Sequence, residues 1–121
     1  MITQIKFVSI PVRDHDRSIA FFTEKLGFKV MTDQQFGADQ RWVELKVAGA
    51  ETKLVLFTPP GQEDRIGGFT PLSFQCDNVE KTVEELKAKG VEFVQGFKKE
   101  SWGESAIFKD PDGNQFVMGS K

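Results

Sequence analysis

Three oxygen-bearing side chains crowd the end of the chain, where Asp110, Asp112 and Asn114 alternate around Gly113 in "FKDPDGNQF". Such side chains at such spacing could hold a calcium ion, whose helix-flanked loop opens D-x-[DN]-x-[DN]-G and closes with Glu at position twelve. Counted from Asp110, the position that needs Gly is Gln115, and the closing position is Lys121. The calcium pattern therefore fails at both. The same residues make good turn chemistry: Pro111 presets φ, Asp112 favours the bend, and Gly113 tolerates positive φ. That reading predicts a hairpin joining "AIF" to "QFVM".

Imidazole and thiolate, which transition-metal sites draw on most, are scarce in the chain. His15 is the one histidine, so a site of two His and one carboxylate cannot be built within one chain. It falls at a strand-to-helix junction and reads as a solvated turn residue. Cys76 is the one cysteine, which leaves no disulfide within the chain; in "LSFQCDN" it reads as a small buried thiol. The 121 residues, 39% hydrophobic with 12 Phe and two Trp, suffice for one compact domain or two small halves sharing a core. A net charge of −2 without a basic block argues against nucleic acid or an anionic membrane surface as partner. No run approaches the roughly 20 apolar residues of a membrane span, and the N-terminus lacks a signal-peptide core. A cytoplasmic location is expected.

The elements that must position any site are written twice. "VRDHDRSIAFFTEK" at 12–25 aligns with "CDNVEKTVEELKAK" at 76–89, an offset of 76 − 12 = 64. Asp16 meets Glu80, Arg17 meets Lys81, Ser18 meets Thr82, Ile19 meets Val83 and Phe22 meets Leu86. Once Leu26 is skipped, Gly27 meets Gly90. This is a tandem repeat of one supersecondary unit.

Each copy begins with a strand-like run ("IKFVSIPV", "PLSFQC") and continues into a helix. Asp14 and Asn78 suit the helix starts, and Gly27 and Gly90 suit the stops. Three strands follow in each: "FKVMTDQQF", "RWVELKVA" and "TKLVLFT", then "VEFVQGF", "ESAIF" and "NQFVM". "PPGQEDRIGG" reads as the linker. The expected organisation is module one at 1–58, linker at 59–68 and module two at 69–121. The fold class is α+β, two βαβββ modules forming a curved, cup-like mixed sheet with helices outside.

"IPVRDHDRSIAFFTEKLGFKV", "RWVEL", the Pro/Gly linker and "FKDPDGNQF" together resemble the vicinal oxygen chelate superfamily, which holds glyoxalase I, extradiol dioxygenases, fosfomycin-resistance enzymes and bleomycin-resistance proteins. The resemblance spans essentially the whole chain. It implies one divalent metal inside the cup of the enzymes, held by His and Glu from the first and last strand of each module. Carried over by position, those ligands fall on Phe7, Leu56, Pro71 (or Thr70 with a slip of one) and Val117. None of Phe, Leu, Pro or Val offers a side-chain lone pair, so no metal and no other cofactor is expected.

Strand parity then gives the cup lining. Phe7 and Ser9 are expected to face in, with Trp42, Glu44, Leu54, Leu56, Ser73, Gln75, Gln115 and Val117. Val43 and Leu45 are expected on the helix side. Trp102 and Glu104 are candidate counterparts of Trp42 and Glu44, subject to a bulge near Gly103. Apolar walls with sparse polar anchors suit a small organic molecule. The leading expectation is a metal-independent binding protein of the bleomycin-resistance type, acting as a homodimer as the resemblance implies. An enzyme of glyoxalase or dioxygenase type remains the alternative, with a metal site that this register misplaces or with Glu44 as general base. A cup filled by its own side chains, acting through its surface, is a third.

Overall fold

The computed structural model describes residues 1–121 and divides into two compact units, Met1–Ile66 and Gly67–Lys121. Both repeat the order strand, helix, three strands. In the first these are β1 (Phe7–Ile10), α1 (His15–Ala20), β2 (Lys29–Phe36), β3 (Gln40–Lys46) and β4 (Lys53–Leu56). In the second they are β5 (Phe69–Gln75), α2 (Val79–Ala88), β6 (Phe93–Glu100), β7 (Gly103–Lys109) and β8 (Gln115–Gly119). The intervening segment carries one 3-10 turn, Glu63–Arg65.

The helices start where the capping chemistry dictates. Asp14 and Asn78 both have extended backbones, and their side-chain oxygens accept from the N–H groups of Arg17 (3.1 Å) and Lys81 (3.0 Å). Each satisfies a donor that the first helical turn leaves without a partner. Both helices stop at glycines with left-handed φ, +76° at Gly27 and +88° at Gly90, where any side chain would be strained. Their interiors differ: α1 widens after Ala20 into a π-helical turn over Phe21–Lys25, while α2 stays regular.

The helical crossover separates the first two strands of each unit, and the last strand fills the space beside the first. The orders are β1-β4-β3-β2 and β5-β8-β7-β6, with β1 parallel to β4 and β5 parallel to β8. All other pairs are antiparallel.

One face of each sheet carries the core. In the first unit Ile10, Val43, Leu45, Leu54 and Leu56 are buried on it, as are Ser18, Phe21 and Phe22 of the helical segment. In the second, α2 buries Val79, Val83 and Leu86 at helical spacing, and Ala106, Phe108, Phe116 and Met118 are buried on the sheet. Phe74, Phe108 and Phe116 form a ring stack with centroids 5.4–6.2 Å apart. Each buried side chain of this size contributes about 1.5–3 kcal/mol, so these faces dominate the stability.

The turn at 110–114 is a closed hydrogen-bond knot. Asp110 Oδ1 accepts from the N–H groups of Asp112 (3.0 Å) and Asn114 (2.8 Å), and Asp110 Oδ2 accepts from Asn114 Nδ2 (2.9 Å). Asn114 Oδ1 accepts from Gly67 N–H at 2.8 Å, tying the knot to the start of the second unit. These oxygens turn the chain, and Gly113 supplies the positive φ of +83°.

Candidate functional site

The face of each sheet opposite its core is where a ligand can be received, and strand pairing decides which residues stand there. Paired residues on neighbouring strands point to the same side. In the first unit Ser9 pairs with Val55 and Val55 with Glu44, so these three share the open face with Phe7 and Trp42. Leu56 pairs with Ile10 and Val43, and Leu54 with Val8 and Leu45. The expectation that Leu54 and Leu56 line the cup is therefore wrong by one residue. Both lie in the core, and Val55 and Phe57 take the opposite face, where Val55 is itself fully buried and Phe57 half-buried.

That face is aromatic. The Phe7 ring meets Trp42 edge-on with centroids 5.2 Å apart, and Phe57 lies 5.2 Å from Trp42 and 5.8 Å from Phe36. Trp42 Nε1 donates to Glu44 Oε2 at 2.8 Å, and Lys53 Nζ stands 3.6 Å from Glu44 Oε1. Both carboxylate oxygens thus have protein partners, which suits an anchored charge more than a general base awaiting a substrate proton.

In the second unit Ser73 and Val117 pair directly, Ile107 pairs with Val117, and Gln75 pairs with Gly119. Gln115, two residues before Val117, shares their face. Ser105 pairs with Gly119 and Lys98. Alternation then puts the Glu104 side chain on the opposite side with Ala106 and Phe108, which corrects its expected inward orientation, although the residue still lines the pocket. The residues at the positions of Trp42 and Glu44 are Ser105 and Ile107, not Trp102 and Glu104, because Ala106 pairs with Met118 as Val43 pairs with Leu56. Trp102 sits in the β6–β7 turn and is 75% exposed.

On this face lies an open pocket of about 400 Å³. It brings together Ser73, Trp102, Glu104 and Val117 with Gln95, Lys98, Ser105, Ile107 and Ser120, which sequence reasoning missed. Gln95 and Lys98 are three apart, an odd spacing that would put them on opposite faces of a regular strand. Register shifts in β6, on either side of Gln95, bring both to the pocket side. Gly96 at this irregularity is the one available sequence signal, since glycine inside a strand often marks a bulge.

The metal positions can be tested against this register. Val55 replaces Leu56, so the four wall positions are Phe7, Val55, Pro71 and Val117. Their side chains are hydrocarbon and cannot ligate an ion. Thr70, the alternative to Pro71, uses its hydroxyl to donate to the Gln115 carbonyl at 2.8 Å. His15 is half-buried rather than solvated, and its Nε2 donates to the Leu56 carbonyl at 3.2 Å. No group of three His, Cys, Asp or Glu gathers anywhere at metal-binding distance. The residues present do not fit the divalent metal of the resembled enzymes. Cys76 is half-buried against Met118 (Sγ to Sδ, 3.5 Å), and burial pushes its thiol above the ordinary value.

Known proteins resemble this chain in sequence and fold along nearly its whole length. The model of the Glyoxalase/Bleomycin resistance protein/Dioxygenase superfamily matches residues 4–118. The uncharacterized protein YetH of Bacillus subtilis (strain 168) is 35% identical over 118 residues, covering 98% of both chains. A solved member of the same superfamily from Sphaerobacter thermophilus DSM 20745 superposes with a TM-score of 0.90 at 28% identity, covering 99% of this chain and 98% of that one. TnmS3, an antibiotic binding protein from Streptomyces sp. CB03234, superposes at 0.83 with 31% identity over 98% and 96% of the two chains.

Proposed function

The chain belongs to the glyoxalase/bleomycin resistance protein/dioxygenase superfamily, and from that premise we propose that it binds and sequesters a small organic molecule without a metal ion. The observation that carries this reading is the hydrocarbon set Phe7, Val55, Pro71 and Val117 at the positions where the family's enzymes hold their ion. Aromatic and apolar walls with a few polar anchors suit an organic guest. The likeness to an antibiotic binding protein supports the same class of ligand.

Calorimetric titration with Zn²⁺, Ni²⁺, Mn²⁺ and Fe²⁺ tests the metal-free part: no tight stoichiometric binding is expected, and one ion per chain overturns it. A thermal-shift panel of drug-like molecules and metabolites tests the binding part. A ligand present at about 100 times its dissociation constant adds about 2.7 kcal/mol, well within reach of such a panel.

The chain is proposed to act as a homodimer in the cytoplasm. Exposed apolar residues such as Ile5, Met31 and Phe69 support a partner, and the lone Cys76 is compatible with a reducing compartment. Sedimentation equilibrium giving only single-chain mass overturns the dimer. An enzymatic reading would rest on Glu44; ligand affinity kept but turnover lost in Glu44→Gln would favour it.

A further inference from the structure

Lys98 was absent from every expectation about the site, yet it lines the pocket of the second unit. The register shifts in β6 leave Lys98 and Gln95 on one side of the strand with Ser105, to whose Oγ Gln95 Nε2 donates at 3.4 Å. Bulges beside binding sites commonly re-aim side chains in this way. Lys98 Nζ lies 2.9 Å from Glu100 Oε1, which occupies one of its three N–H donors. The Lys98 side chain is 57% exposed and that of Glu100 34%, so the pair is weak and an incoming anion can compete or share. Glu104 is a second carboxylate among the lining residues, although alternation along β7 directs its side chain opposite to that of Ser105.

The same pocket is lined by Trp102, 75% exposed on the β6–β7 turn. A large aromatic side chain so placed contributes almost nothing to the core. That exposure leaves indole surface available to a flat guest, and Ile107 and Val117 line the same pocket with further apolar surface.

Resting on the binding function proposed above, we propose that this pocket recognises a planar aromatic molecule carrying an acidic oxygen group. Lys98 pairs with the anion, Trp102 covers the ring, and Ser73, Gln95 and Ser105 hydrogen-bond its further oxygens. This reverses the preference for a cationic guest that Glu44 and Glu104 would suggest if both faced a ligand.

The test compares three probes of one shape on the full chain by calorimetry: naphthoate, naphthol and naphthylmethylamine. Naphthoate is expected to bind most tightly. Lys98→Met is expected to weaken naphthoate about fivefold while leaving naphthol unchanged, the size of one partly exposed charge pair. Trp102→Leu is expected to weaken both about fivefold, as loss of one ring contact would. Quenching of Trp102 emission in Trp42→Phe protein locates the probe. Naphthol or the amine binding as tightly as naphthoate overturns the assignment, as does unchanged naphthoate affinity in Lys98→Met. Failure of all three probes overturns it as well. The metabolite panel then reports separately whether the binding function stands.

Discussion

Trp42 donates its indole N–H to Glu44 Oε2 at 2.8 Å, although both side chains rise from β3 only two residues apart. The indole is also flanked by the Phe7 and Phe57 rings, each with its centroid 5.2 Å away. Aromatic packing therefore fixes the ring, and the ring fixes the carboxylate, with Lys53 at its other oxygen.

Trp42→Phe keeps a ring in the cluster and removes the donor, and is expected to lower stability by about 1 kcal/mol in urea denaturation. Lys53→Met removes only an exposed partner at 3.6 Å, and is expected to cost less than about 0.5 kcal/mol. If Lys53→Met cost more than Trp42→Phe, the ion pair rather than the indole would be what holds Glu44.

The duplicated helix caps offer the same measurement in two places. Asn78→Ala and Asp14→Ala each remove an acceptor from one first-turn N–H, at 3.0 and 3.1 Å. Each is expected to cost about 1 kcal/mol, whereas Asn78→Ser, which keeps an acceptor, should cost far less. Equal losses for Ala and Ser would show that these side chains do not act as caps.

What could be read in the sequence follows from how sharply each signal is coded. Asp14, Asn78, Gly27 and Gly90 are residue types whose local chemistry fixes helix ends, so the repeat and its element order were legible. The phase of β4 was not. "KLVLF" is apolar at both parities, and with no polar residue to mark the open side a slip of one exchanges Leu54 and Leu56 for Val55 and Phe57. The second unit hid its site differently. Alternation assumes a regular strand, and the shifts flanking Gln95 break it, which hides Gln95 and Lys98; Ser105 and Ile107 lie on regular β7 and are hidden by the inward parity given to Glu104. Glu104 was misplaced because a pattern copied from "RWVEL" onto "SWGES" matched letters, whereas the ladder matches Trp42 to Ser105.

Burial of Cys76 makes it a poor nucleophile. With its thiol held above the ordinary value, chiefly by burial, the thiolate fraction at neutral pH is small. Alkylation by iodoacetamide at pH 7 is expected to be slower in the folded chain than in urea-unfolded chain. Equal rates would mean that the thiol is exposed and unperturbed.

Asp110 gives a dependence on pH that can be measured directly. It is only 5% exposed, and its carboxylate accepts from two backbone N–H groups and from Asn114, itself 1% exposed. Burial pushes the carboxyl above its ordinary value, outweighing the hydrogen bonds from Asn114 that act the other way. A folded-state pKa above the unfolded one means that folding takes up protons where the group titrates. Its contribution is then full below the unfolded pKa and is lost as pH rises through the folded one. Asp110→Asn removes this titration. It also sets an amide donor against Asn114 Nδ2, so the variant should be less stable throughout, by about 2 kcal/mol at acid pH. The stability gap between the natural chain and Asp110→Asn is accordingly expected to be widest near pH 4 and to narrow toward pH 7, measured by urea denaturation across that range. A gap that widens with rising pH would mean that the hydrogen bonds, not burial, govern this carboxyl. Asn114→Ala separates the two effects. It strips the Asn114 side chain from Asp110 and the acceptor from Gly67 N–H while leaving the carboxyl in place, so a pH-dependent gap of the same sense should persist against Asp110→Asn/Asn114→Ala.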